Sequence, residues 1–403
     1  MPKHNKQPSG CGCSNIPISL IVLILGGGYW WLSQKSNLDF SKFLPKNPQA
    51  NIPVLNSPTS AIANPSPQTS LPTSPSPSVT ISSTPQKQLP ITKTLPPTPW
   101  EKKAIRGIYL SRYQITNNAD EQTIRQRVRY YHSQGINTII HGVWGNGCTM
   151  YNSEVMQQTL GYKSCPNQFQ EKWLDWLIDE AHKQGMQVHA YFEKGIKLDK
   201  NSPIYDLAVS RNWLVPGVDK TYAGIDHYVL DVQIPEVANL FTNISVEFVK
   251  KYPQIDAVQW DDYLGYHAEL PGKVDRTANL TKFLQQMITA IKQANSKVKF
   301  DICHHNPYWA KRYFAADWQN WNVDRVFIQA YNEDNFSEEL NYAKKYAGIA
   351  ITDKQLSRLP ELIDNDKIDS ILVFSLAGKP EATAAQIQTL IQKNMKNPPK
   401  TSN

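Results

Sequence analysis

Eight short β-rich runs, each followed by an amphipathic stretch, fill residues 104–394 and predict a (β/α)8 barrel of the TIM type. Two further observations support it. A doubly wound open sheet usually carries a Gly-rich phosphate turn after its first strand, and Tyr109-Leu110-Ser111-Arg112-Tyr113 has none. Acids, amides, histidines and aromatics gather where the β-rich runs end, the end at which such a barrel opens.

The elements follow in order from hydrophobic period and punctuation. The first strand is AIRGIYLS (104–111), followed by a helix through EQTIRQRVRYYHSQG. The second is NTIIHGVW (137–144), followed by a long loop and the helix EKWLDWLIDEAHKQG, where Trp173 and Trp176 at i,i+3 pack on the barrel. The third is MQVHAYFE (186–193), and a long excursion then runs to about residue 232. The helix PEVANLFTNISVEFVKKY places Pro235 in its first turn, where a missing N–H costs nothing. Strands at 256–262, 297–304, 324–331, 348–353 and 369–378 alternate with helices at 276–294, 308–316, 336–346, 354–365 and 380–394.

Composition divides the chain before residue 101. Of its 28 prolines, 14 lie between Pro45 and Pro99, in a stretch with no acid and many Ser and Thr. Such a stretch cannot bury enough apolar surface to fold, so residues 33–100 are expected to be a disordered, semi-stiff linker. Ile16 to Leu32 carries no charge, and at about 1.5 Å per residue its 17 residues nearly span a hydrocarbon core. Tyr29, Trp30 and Trp31 close it like an interfacial belt. Residues 1–15 are then a cytoplasmic tail and 16–32 a transmembrane signal anchor, with a cleaved signal peptide as the alternative. Either way residues 101–396 leave the cytoplasm, and 397–403 form a C-terminal tail.

Charge sets the partners. Residues 1–100 hold seven Lys and one acid, whereas 101–403 hold 35 Lys and Arg against 34 acids. A neutral barrel argues against a nucleic-acid partner held by phosphate contacts. Cys148 and Cys165 bracket a 16-residue loop in the exported part and are a candidate disulfide; Cys303 reads as a buried thiol. No spacing resembles a zinc site, the first strand lacks the His-x-His of a metal hydrolase, and no metal or cofactor is expected.

The strand ends supply the candidate chemistry. Carbohydrate suits them: rings stack on sugar faces while amides, imidazoles and carboxylates bond hydroxyls. Glycoside cleavage needs two carboxyl groups flanking the bond. Side chains alternate along a strand, so Gln259 and Asp261 share one face, as do His189, Tyr191 and Glu193. The candidate acids are Asp261, Asp262, Glu193 and Asp301, with Asp261 or Asp262 as one partner and Glu193 or Asp301 as the other. Trp144, Tyr191, Trp260, Tyr263 and Tyr331 are expected as the sugar platform. His141, His189, Gln259, His304, Gln329 and Asn332 complete the candidate binding set.

These segments also resemble a known family. IRGIYLS (105–111), GINTIIHGVW (135–144), LIDEAHKQGMQVHAYF (177–192), the stretch from Asp231 through IPEVANLF, and DAVQWDDYLGYH (256–267) are similar, in order, to the glycosyl-hydrolase-like 10 family. The resemblance implies an exported barrel acting on a glycan. Some relatives are associated with cell-wall glycan strands, which makes peptidoglycan the leading polysaccharide. The expected function is thus a membrane-anchored glycoside hydrolase. A non-catalytic wall-glycan-binding module is the alternative, and a lyase or transglycosylase a third reading.

Overall fold

The computed structural model describes residues 96–111, 118–166, 169–221, 224–266, 270–271 and 275–396. The expected anchor and almost all of the linker lie outside the described residues. Among the described residues no helix is long and apolar enough to cross a membrane.

Eight parallel strands form the barrel: β1 Ile105–Leu110, β2 Thr138–Gly145, β3 Gln187–Phe192, β4 Ala257–Asp261, β5 Lys299–His304, β6 Arg325–Gln329, β7 Gly348–Thr352 and β8 Ser370–Phe374. Each pairs with its sequence neighbours, and β8 pairs with β1, so the sheet closes on itself. The intervening helices are α1 Glu121–Ser133, α2 Trp173–Lys183, α3 Pro235–Lys251, α4 Arg276–Ala294, α5 Pro307–Phe314, α6 Phe336–Tyr346, α7 Leu359–Asp364 and α8 Pro380–Lys396. Asp120, Asp275 and Asn306 cap α1, α4 and α5 by accepting from backbone N–H groups. Pro235 occupies the first turn of α3, as its sequence position predicts.

Two hydrophobic groups divide the sides of the sheet. Ile105, Tyr109, Ile140, Cys303, Phe327, Ala350 and Leu372 fill the barrel. A much larger cluster lies between the strands and the helical layer. The inward series is therefore 105 and 109 on β1, 140 on β2, 303 on β5 and 327 on β6, and period two extends it to its neighbours.

Three observed details sharpen the expected elements. The loop after β2 contains a two-residue ladder, Cys148–Thr149, and the helix Glu154–Leu160, and it is closed by the Cys148–Cys165 disulfide. The excursion after β3 pairs Lys197–Leu198 with Tyr228–Val229 and holds a fully buried ion pair, Lys197 Nζ to Asp219 Oδ2 at 3.1 Å. On the opposite face, Trp100 donates to the Gly135 carbonyl at 3.0 Å, and the Lys103 ammonium donates to the carbonyls of Asn365 at 2.7 Å and Ile368 at 2.6 Å. Those carbonyls precede β2 and β8, so residues 100–104 are bolted across the N-terminal ends of the strands.

Candidate active site

The candidate site is built around the termination of β4. Asp261 ends that strand on the same inward face as Gln259, and Asp262 opens the following turn. The Tyr191 hydroxyl donates to Asp261 Oδ2, and the Tyr263 N–H donates to Oδ1 at 3.0 Å. Asp262 is held from the other side. Its Oδ1 accepts from Gln329 Nε2 at 3.2 Å, and its Oδ2 lies 3.7 Å from His305 Nε2. Gln329 is itself fixed by donating to the Cys303 carbonyl at 3.1 Å.

The electrostatics make these neighbouring acids unequal to ordinary ones. Burial is the largest influence on Asp261 and pushes its pKa well above the usual carboxylate range. The negative charges of Asp262 and Glu193 push the same way, and with burial they outweigh the hydrogen bonds from Tyr191 and Tyr263. Glu193 also raises the Tyr191 hydroxyl, so it belongs to the same electrostatic centre. Three acids thus share one small region, and at least one holds its proton into the pH range where an exposed Asp has lost it.

Aromatic rings line the same region. Tyr109 meets Tyr191 edge-on at 5.3 Å and Phe374 at 5.9 Å. The Tyr331 hydroxyl lies 3.7 Å from Cys303 Sγ. Tyr263 faces the Lys197 ammonium at 5.4 Å. Tyr109 and Cys303 are not among the site residues expected from the sequence, and His305 stands next to the expected His304. Period two finds all three, since Tyr109 follows Gly107 on β1 and Cys303 follows Asp301 on β5, with His305 continuing that series one residue past the strand's end.

The backbone brings the two acid-bearing loops together at Gly195. Its φ is +45°, and a Cβ there would lie 2.7 Å from the Tyr263 carbonyl oxygen. The Gly195 carbonyl also accepts from Trp144 Nε1 at 3.0 Å. Only glycine allows the turn after Glu193 to approach the turn after Asp262 this closely. Gly195→Ala is expected to destabilise the barrel by about 1–3 kcal/mol. Denaturant melts of the wild type and the variant measure the loss.

Several expected site residues lie elsewhere. Asp301 is fully buried below the acid centre, where Arg325 grips both of its oxygens at 2.8 Å. It is a member of this internal ion pair and lies apart from the Asp261–Asp262 cluster. His189 lies in that same layer, 3.4 Å from Asp301 and 3.3 Å from Arg325 Nη2, and burial lowers its pKa well below the usual value. Gln259 is fully buried one step beneath Asp261. Trp144, Trp260, His141 and His304 are also fully buried, but on the outer face under the helices. Trp144 packs on Phe241, Trp260 stacks on Phe192 at 4.7 Å, His141 meets Trp173 and His304 meets Phe314. With no exposed surface they are packing residues, and the expected platform loses both tryptophans. Asn332 accepts from the Asp334 N–H in a turn. Tyr191, Tyr263, Gln329 and Tyr331 remain beside Asp261 and Asp262.

The span carrying all of these acids except Asp301 also decides the comparison with known families. Residues 104–275 match the family model described as Glycosyl hydrolase-like 10. The match runs from β1 to the cap of α4 and bears out the resemblance read from the strand ends. Among curated relatives of this glycosyl-hydrolase-like region, the Glycosyl hydrolase DigH of Escherichia coli K12 and that of Shigella flexneri are each 30% identical over 168 residues. That alignment covers 38% of this chain and 36% of each relative, so the matched region spans about a third of their length. A glycoside hydrolase family 20 β-N-acetylglucosaminidase is similar in structure, with a TM-score of 0.46, 9% identity, and coverage of 71% of this chain and 70% of that one. A Lactobacillus plantarum α-amylase has a TM-score of 0.45 at 10% identity, covering 74% and 81%.

Proposed function

We propose that this chain is a membrane-tethered, exported glycoside hydrolase whose acid centre is Asp261, Asp262 and Glu193. The observation that carries the reading is the raised pKa of Asp261, held beside a second buried carboxyl at the mouth of the barrel. A carboxyl group held protonated above the usual carboxylate range can deliver that proton to the glycosidic oxygen as the C1–O bond breaks. Asp262, oriented by Gln329 and His305, faces the positive charge that develops at the anomeric carbon, either attacking it or activating a water. Glu193 adds negative charge to the same centre and helps hold Asp261 protonated.

The substrate class rests on the family match and on the rings of Tyr191, Tyr263 and Tyr331. Peptidoglycan glycan strands lead, following the sequence resemblance. The Cys148–Cys165 disulfide supports export, because such bridges persist in oxidising compartments. The uncharged stretch 16–32 supports the tether. The test is turnover of isolated glycan strands by wild type, Asp261→Asn, Asp262→Asn and Glu193→Gln, read by chromatography of the products. Unchanged turnover in both aspartate variants removes the pair from the mechanism. Wild-type binding without any cleavage instead identifies a wall-binding module.

A further inference from the structure

Helix α5 presents an aromatic face to solvent close to the acid centre. The exposed large hydrophobic side chains among the described residues are Val209, Tyr308 and Trp309, and the last two are adjacent on α5. Every other tryptophan among the described residues is buried, except the half-buried Trp176. Two adjacent aromatic side chains left part-exposed on one helix form an apolar patch that gains by being covered. Trp309 lies against Tyr313 with ring centres 4.9 Å apart. The Arg312 guanidinium lies over both Tyr313, at 5.5 Å, and Tyr308, at 6.0 Å. Aromatic faces beside a guanidinium whose N–H groups can donate to hydroxyls match the two sides of a pyranose ring.

This face is continuous with the catalytic end. Asn306, which follows His305, caps α5 by accepting from the Trp309 N–H at 3.1 Å, and its side chain donates to the buried Glu339 at 2.9 Å. The far end of α5 is fastened to the β4 turn. The Phe314 carbonyl accepts from the Tyr266 N–H at 2.8 Å, and a Cβ on Gly265 would lie 2.9 Å from Phe314. Phe314 also stacks on His305, the imidazole that faces Asp262. The helix thus follows directly on His305 at its start and is fastened to the β4 turn at its end.

We propose that Tyr308, Trp309, Arg312 and Tyr313 form an outlying carbohydrate subsite that stacks a sugar unit of the same glycan chain whose bond lies at Asp261. The proposal rests on the glycan reading and adds that the substrate is a polymer gripped at two places on one rigid surface.

The test is equilibrium binding of the full-length chain to peptide-free peptidoglycan strands fractionated by length. It is performed in an Asp261→Asn, Asp262→Asn background so that cleavage does not interfere. Trp309→Ala is expected to weaken binding of long strands about tenfold, with the loss growing with strand length, while Trp309→Phe keeps most of the affinity. Long-strand affinity within twofold of the parent in Trp309→Ala overturns the subsite. So does a loss confined to anionic phospholipid vesicles, which would make the face a membrane contact. Binding stands apart from turnover: strands held through Trp309 but never cleaved by wild type overturn the hydrolase reading alone. Strands cleaved by wild type, with undiminished affinity in Trp309→Ala, overturn the subsite alone.

Discussion

Asp261→Asn is expected to lower glycan turnover by about 10²–10⁴-fold, the range associated with a positioned general acid. The same change should make the fold more stable, by about 0.5–2 kcal/mol at neutral pH. Burial, Asp262 and Glu193 all disfavour the ionised form of Asp261, so its folded pKa lies well above its unfolded value near 4. Between those two pH values the native state binds the extra proton, and stability falls as pH rises. Asparagine cannot ionise, and its side chain still accepts from Tyr191, so the variant should lose that downward slope. Thermal melts of both proteins from pH 4 to 8 measure it. The rate loss carries its own signature. A glycoside with an activated phenolate leaving group needs little protonation, so it should suffer far less from Asp261→Asn than a natural sugar–sugar bond. Asp262→Asn should impair both substrates alike. Equal losses for the two substrates in Asp261→Asn would take the proton-donor role away from this residue.

The second large effect lies in the excursion after β3. Asp219→Ala is expected to cost about 3–5 kcal/mol, because it leaves the fully buried Lys197 ammonium without its carboxylate. Lys197 also accepts no help from solvent: its remaining neighbours include Thr221 Oγ1 at 3.3 Å and the rings of Tyr263 and Phe314. Replacing both partners with apolar residues, Lys197→Met with Asp219→Leu, should recover most of the loss. Denaturant unfolding of the two single variants and the double variant measures the coupling. The pH dependence has the opposite sign to that of Asp261. Burial pushes Asp219 up, but Lys197 and Thr221 together outweigh it and leave its pKa below the usual range. Its contribution is present above the unfolded value near 4 and is lost as pH falls through the folded one. Additive losses, with no recovery in the double variant, would show that the two side chains act separately.

The barrel was legible because each strand is short, apolar and followed by a helix with its own punctuation. The run that predicts β8 extends four residues beyond the strand's C-terminal end because apolar character continues past Phe374. The structure stops the strand where the Ser375 hydroxyl turns to accept from the Lys379 N–H. In the site, alternation identified Tyr191 and Asp261 as inward residues, and both are there. The same alternation speaks against Trp260, which lies between two inward residues, and against His304, which lies between Cys303 and His305. Residue type had outweighed geometry: tryptophan and histidine suggest sugar contacts wherever they occur near a strand end. Asp301 differs, since it does face inward. What sets it apart from Asp261 and Asp262 is depth and Arg325, which lies 24 residues away in sequence and meets it only because β5 and β6 pair. The Lys197–Asp219 pair had no periodic signal at all, being made by an irregular segment.

Closure of the sheet also determines where the chain joins the barrel. Trp100 and Lys103 fasten the incoming segment to the loops that precede β2 and β8, at the ends of the strands opposite Asp261. Residues 100–104 therefore close the back of the barrel and leave the end that carries Asp261 clear of them.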